Sequence, residues 1–179
     1  ASMMRSFYDR PVSPRNFDGQ RVHSSAVVSE TAKVHPTAIV GPLAVISDGC
    51  DIGENAYIGS HAVLEKNVKV GAQCLIHPHV YLGPDTILGE RCELKPMASV
   101  GTEGFGYAHD EKGEHFRIPH LGKVILGNEV HIGSGTQIDR GTLDDSRIGS
   151  GTKIDNHCHF GHNINMGKNC IVTGGFISA

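Results

Sequence analysis

The chain has 179 residues and a mass of 19.1 kDa, with 16 basic and 19 acidic residues, a net charge of −3 and a pI near 6.5. Such a balance excludes the electrostatic footprint of a protein that tracks a phosphate backbone or an anionic membrane surface, and the length fits one domain. No apolar run approaches the roughly 20 residues of a membrane-spanning helix and none forms a signal-peptide core, so a cytoplasmic protein is expected, without nucleic acid or integral membrane contact.

Residues 1–21 carry no periodicity. Ala1 and Ser2 read as a cloning scar, and Phe7, Tyr8, Pro11 and Pro14 belong to an irregular N-terminal arm. From Val22 to Val100 every sixth residue is aliphatic, and a small or slim side chain follows four places later, as in Ile52 with Ala56 and Ile58 with Ala62. A period of six fits neither a helix at 3.6 residues per turn nor a single alternating strand. It is the signature of a hexapeptide β-helix, in which three hexads close one triangular coil. Residues 22–179 are therefore predicted to form a single all-β domain, a parallel β-helix of a little over seven coils. Gly, Asn or Asp placed one to three residues after each aliphatic suits the corners.

The five cysteines, Cys50, Cys74, Cys92, Cys158 and Cys170, all occupy the small inward slot. They are expected to be core filler in a reducing compartment rather than metal ligands or disulfides. His23, His35, His61, His77 and His79 are read as surface residues of the lower coils.

The period is interrupted twice. Val100 to Leu126 spans 26 residues in place of six, so a loop at about 106–125 is predicted to be extruded. Ile138 to Ile148 spans ten, a four-residue extrusion around Asp144, Asp145, Ser146 and Arg147. Counting hexads in threes puts Val100, Ile138 and Phe160 in one column, so both interruptions leave by the same corner. The same count stacks His162 over Arg140, beside both extrusions. Interruptions of a solenoid gather on its binding face, and histidine is the side chain that titrates nearest neutral pH, so His162 is the leading catalytic candidate. The glycine-rich stretch 101–107 lacks a following helix and reads as the flexible root of the loop, with Phe105 and Tyr107 as apolar contacts. The chain stops in mid-repeat at Ala179 without a capping element, and further residues are expected to follow.

Four blocks now stand in order: Gly101-Thr102-Glu103-Gly104-Phe105-Gly106-Tyr107, Ile118-Pro119-His120-Leu121-Gly122-Lys123-Val124, Ile138-Asp139-Arg140-Gly141-Thr142-Leu143-Asp144-Asp145, and Ile154-Asp155-Asn156-His157-Cys158-His159-Phe160-Gly161-His162-Asn163. In order and spacing they resemble the UDP-3-O-acylglucosamine N-acyltransferases of lipid A biosynthesis. The resemblance covers residues 100–179 closely and the earlier hexads in general pattern. It implies a left-handed winding, a homotrimer and substrate clefts between subunits. It also implies transfer of a 3-hydroxyacyl group from the phosphopantetheine thioester of acyl carrier protein to the amine of a UDP-linked glucosamine, with no tightly bound cofactor and no metal. His162 matches the general base and Asp155 the assisting aspartate. Asn156, His157, Arg140, Phe105 and Tyr107 are expected to contact substrate. The glycine amide that holds the oxyanion would fall at position 180. Measured against that family, the chain is expected to lack the uridine-gripping N-terminal domain, with a short arm in its place, and the C-terminal helical segment, and the family's glutamines give way to His157 and His159.

Three other readings share the same architecture. One is an acetyl-CoA-dependent sugar acetyltransferase, which the short N-terminus would suit. Another is a zinc enzyme like the γ-class carbonic anhydrases, since His157 and His162 have the right spacing, although Leu143 stands where an earlier histidine is expected after Gln137. The last is a scaffold that has lost activity.

Overall fold

The computed structural model describes residues 20–178. Expectations about Phe7, Tyr8 and the rest of residues 1–19, and about the position above His162, lie outside them. Within the described residues the chain winds as a parallel β-helix whose three faces are parallel sheets of eight, seven and seven short strands, and it contains no helix. Most strands are two residues long, and each pairs with the strand one coil above and below.

The hexad explains this geometry directly. In a pair such as Tyr57–Ile58 the first side chain faces out and the second enters the core, where Ile58 is wholly buried. The small residue four places on, here Ala62, is also buried, because the chain has turned a corner before it points inward again. From Val40 on, the regular corners place a left-handed residue three places after the aliphatic. Thirteen residues other than glycine adopt it with φ between 53° and 63°, among them Asn55, His61, Asn67, Leu43 and Met97. Asn and His tolerate this region, whereas Leu and Met carry a steric cost of the order of 1 kcal/mol that coil-to-coil pairing must offset.

The inward slot does more than fill space. Cys50, Cys74 and Cys92 each place Sγ 3.1 Å from the carbonyl oxygen of Glu65, Gly89 and Gly127 on the next coil. Thr136 and Thr152 do the same with Oγ1, donating to Asp155 and Gly167 at 2.7 and 3.0 Å. These thiols and hydroxyls satisfy corner carbonyls that the two-residue strands leave over. Thr86 is a buried exception with no partner. The carbonyl fifteen residues on belongs to Gly101, which lies in a β-bulge with φ of 92°.

That bulge begins the first interruption. The strand Ser99–Thr102 pairs with Gln137–Asp139, but Thr102 rather than Gly101 faces Asp139. The chain then leaves and rejoins the next sheet at Val124–Leu126, so the extrusion is 103–123 and not 106–125. The difference arises because the strand runs on past the bulge, and because Val124 is already in the sheet. Nor is the segment featureless. Tyr107–His109 and His115–Arg117 form an antiparallel hairpin, its turn capped by Asp110 Oδ1 accepting from the amides of Lys112 and Glu114 at 2.8 and 3.0 Å. In the second interruption Ser146 and Arg147 prove to be part of the strand Ser146–Ile148, so the extruded residues are 140–145.

Candidate active site

Strands Ser99–Thr102, Gln137–Asp139 and His159–Phe160 stack on one sheet, with Val100, Ile138 and Phe160 in register. Both extrusions therefore leave by the corner that follows this sheet, as the hexad count predicts. What the count does not show is that they are knitted together. The returning limb of the long extrusion donates Leu121 N to Thr142 O at 2.7 Å and Gly122 N to Gly141 O at 2.9 Å. The two segments approach so closely that a Cβ on Gly122 would lie 2.1 Å from Asp144 O, and the tight turn within the second extrusion would put a Cβ on Gly141 1.6 Å from that same oxygen. Only glycine fits either position.

Arg140 secures this junction. It is buried, and its Nε donates to Gly122 O at 2.5 Å, with Nη2 3.9 Å from Asp85 Oδ2 two coils below. The residue expected to contact substrate is thus placed in the junction between the two extrusions. Its guanidinium is turned inward to clamp the two extrusions, since a buried cation must spend its donors on available carbonyls and carboxylates.

His162 stands exposed on the same corner. Its Nδ1 is 3.0 Å from Asn163 Oδ1 and 3.3 Å from Thr142 Oγ1. The amide of Thr142 donates to that same Asn163 oxygen at 2.8 Å, which fixes it as an acceptor. Nδ1 of neutral His162 must then carry the proton and donate, leaving the Nε2 lone pair free. This is the tautomer a general base needs, and the residue holding it is Asn163. Asp155, expected in that role, sits elsewhere. It follows the strand Lys153–Ile154 on another sheet, at the corner before His159–Phe160, and its Oδ2 accepts from Gly174 N at 3.1 Å. Within one subunit it does not hold His162.

On the strand directly beneath His159–Phe160 lies a buried carboxylate, Asp139. Thr102 Oγ1 donates to its Oδ1 at 3.0 Å, and His159 Nε2 is 3.9 Å from Oδ2. Burial pushes the Asp139 carboxyl above its ordinary value, opposed by the Thr102 hydrogen bond and by His159, His120 and His162 around it. Beneath them lies His120 of the long extrusion, buried, with its ring edge-on to His162 at 5.2 Å between centroids. Of these, sequence reasoning notes His159 only as standing where the family has a glutamine, and it does not single out Asp139, His120 or Asn163. All four nevertheless lie inside the sequence blocks that drew attention to this region.

The remaining candidates divide between two places. Asn156 and His157 share the Asp155 corner, where Asn156 Oδ1 accepts from Ser134 N at 2.7 Å and His157 takes φ of 53° over Gly135. Phe105 and Tyr107 lie on the hairpin side with ring centroids 5.1 Å apart, and Phe105 is 88% exposed. Together with Gly106, His109, His115 and Ile118 they line an apolar groove. His157 and His162 thus stand at opposite corners of one face, and among the described residues no group of three or more His, Cys, Asp or Glu side chains is gathered as a metal would require.

Comparison with known proteins bears out the repeat and the resemblance. The family described as bacterial transferase hexapeptide (six repeats) matches residues 31–66. The C-terminal portion is 48% identical over 73 residues to the UDP-3-O-acylglucosamine N-acyltransferase of Campylobacter jejuni subsp. doylei, a stretch that is 41% of this chain and 23% of that protein. It is 48% identical over 77 residues to UDP-3-O-acylglucosamine N-acyltransferase 2 of Legionella pneumophila, 43% of this chain and 22% of that protein. The matched stretch thus spans under a quarter of the length of these relatives. Among solved structures, the Arabidopsis UDP-N-acetylglucosamine acyltransferase superposes with a TM-score of 0.73 at 23% identity, covering 84% of this chain and 52% of that one. The fold is accordingly a left-handed parallel β-helix.

Proposed function

We propose that this chain carries the acyl-transfer centre of an N-acyltransferase of lipid A biosynthesis, moving a 3-hydroxyacyl group from acyl carrier protein to the amine of a UDP-linked glucosamine. The observation that carries the reading is the exposed His162, held by Asn163 with its Nε2 free at the corner where both extrusions meet. As the amine nitrogen bonds to the thioester carbonyl carbon, one N–H proton passes to Nε2. The tetrahedral intermediate then expels the pantetheine thiolate, to which the imidazolium returns the proton. Amide and free thiol are the products. The groove along Phe105, Tyr107 and Ile118 supplies apolar surface for the acyl chain.

A homotrimer would complete this site. Asp155, Asn156 and His157 lie at one edge of the face and His162 at the other, and a closed ring uses two different surfaces of each copy. The Asp155 edge also presents Leu43 and Met97, 52% and 70% exposed, which suits coverage by a neighbour. A nucleotide-sugar substrate and a carrier-protein donor fit a cytoplasmic enzyme, and no helix among the described residues is long and apolar enough to cross a membrane. The acetyl-CoA and zinc readings lack support of this kind, since the relatives matched are named N-acyltransferases of an acylated UDP-glucosamine.

The test is His162→Ala assayed for transfer from 3-hydroxyacyl carrier protein to the UDP-amino sugar. Loss of general-base catalysis should lower kcat by the order of 10²–10⁴-fold with the fold retained. Normal transfer by the folded variant would refute the proposal.

A further inference from the structure

His120 is a buried ring to which the acyl-transfer reading gives no task. It lies 3% exposed in the returning limb of the long extrusion. Its Nδ1 is 3.0 Å from Ile118 O, so in the neutral ring Nδ1 holds the proton and donates, and the lone pair sits on Nε2. That Nε2 is buried and has no hydrogen-bond partner. Buried acceptors are satisfied almost everywhere in native folds, so an orphan calls for a reason. The orphan hydroxyl of Thr86 is explained by the bulge at Gly101, but no backbone irregularity accounts for His120.

Its surroundings point to His162. The place where a Cβ on Gly104 would stand is 3.0 Å from His120 Nε2 and 3.2 Å from both Cβ and Cδ2 of His162. The absence of a side chain at Gly104 is what lets the two rings meet, edge-on at 63°. A Cβ on Gly106 would likewise stand 3.0 Å from His120 Cε1, so the root of the loop is cut away to admit this ring.

We propose that His120 is a positioning residue for His162. Its ring backs the base while Asn163 holds Nδ1, and its Nε2 lone pair, the negative end of the imidazole dipole, favours the protonated His162 that forms during transfer. This inference rests on His162 being the base. The other charged or titratable groups facing the pair are Asp139 and Arg140 from the coil below, His159 from the strand of His162, and the Glu103–Arg117 ion pair at the root of the loop. Arg140 is engaged by Gly122 O, and Asp139 accepts from Thr102 Oγ1.

The experiment follows the imidazole resonances of His162 by NMR in the wild-type chain, His120→Phe and His120→Gln, alongside kcat and KM. In His120→Phe, which keeps a ring and loses the lone pair, His162 should titrate about half a pH unit lower, a roughly threefold loss of proton affinity. Its kcat should fall about tenfold with KM unchanged, and His120→Gln, which restores an acceptor oxygen, should recover most of both. Should His120→Phe fail to fold, Gly104→Ala serves instead, because its methyl parts the rings and should give the same shift. An unmoved His162 titration in folded His120→Phe or Gly104→Ala overturns the inference. The resonance needs no turnover, so normal transfer by His162→Ala would refute the catalytic reading while leaving this coupling separately measurable.

Discussion

The coils below Val100 and those above it are built from the same hexad, yet they treat polar groups in opposite ways. In the lower coils the interior is aliphatic apart from thiols and a hydroxyl in the small slot. Above it lie six buried polar or charged residues: His120, Asp139, Arg140 and Ser146 belong to the two extrusions or their roots, and only Thr136 and Thr152 are slot residues. A solenoid that stacks aliphatics needs no such groups. Their concentration at one corner marks the place where the fold accepts cost to hold a geometry.

Paired substitutions would sharpen that contrast. Ile58→Ala empties part of the core of a regular coil and should cost about 2–5 kcal/mol in urea denaturation. It should leave the kcat of the remaining folded protein near wild type. Arg140→Leu should cost less, about 1.5–3 kcal/mol, by leaving Gly122 O without its charged donor. Unlike the core change it should depress transfer, because the two extrusions are no longer clamped. Equal effects of both variants on activity would dissolve the distinction between the regions.

Asn163→Ala should act on chemistry more than on stability. Losing the oxygen that accepts from His162 Nδ1 and from Thr142 N should lower kcat by the order of tenfold to a hundredfold, as the base samples the wrong tautomer. Asp155→Asn in the same assay separates the two corners, since within a subunit that carboxylate reaches only Gly174.

The smallest effect concerns pH. The Asp139 carboxyl lies above its ordinary value chiefly through burial, so the folded state binds its proton more tightly than the unfolded chain does. Stability from this group is then greatest in acid and is lost as pH rises through the window above the ordinary carboxyl value. Asp139→Asn, which keeps an acceptor for Thr102, should equal or exceed wild-type stability at neutral pH, and that difference should vanish toward about pH 4. A variant less stable at neutral pH than in acid, relative to wild type, would show the charge to be favourable where it lies.

Much of this architecture is legible in the sequence because a period of six, taken in threes, fixes which residues stack. The column of Val100, Ile138 and Phe160 and the shared corner follow from counting alone, and the structure has both. The same counting separates Asp155, one place past the aliphatic Ile154, from His162, two places past Phe160 on the next strand. Resemblance joined them where register keeps them apart within one subunit. Extrusions have no period, so their limits at Thr102 and Val124, the hairpin, and the inward turn of Arg140 depend on a bulge and on contacts between segments remote in sequence. His120 and Asn163 lay in view within motif blocks, but only three dimensions show which atoms of each are engaged.

The claim beneath all of this is that the two extrusions form a single structure closed upon His162. Amide hydrogen exchange at Leu121, Gly122 and Ser146 tests it most directly, because their N–H groups are given to Thr142 O, Gly141 O and Lys123 O across the junction. Strong protection at all three, lost together in Arg140→Leu, is the predicted result. Exchange at the rate of open loops in the wild-type chain would contradict it.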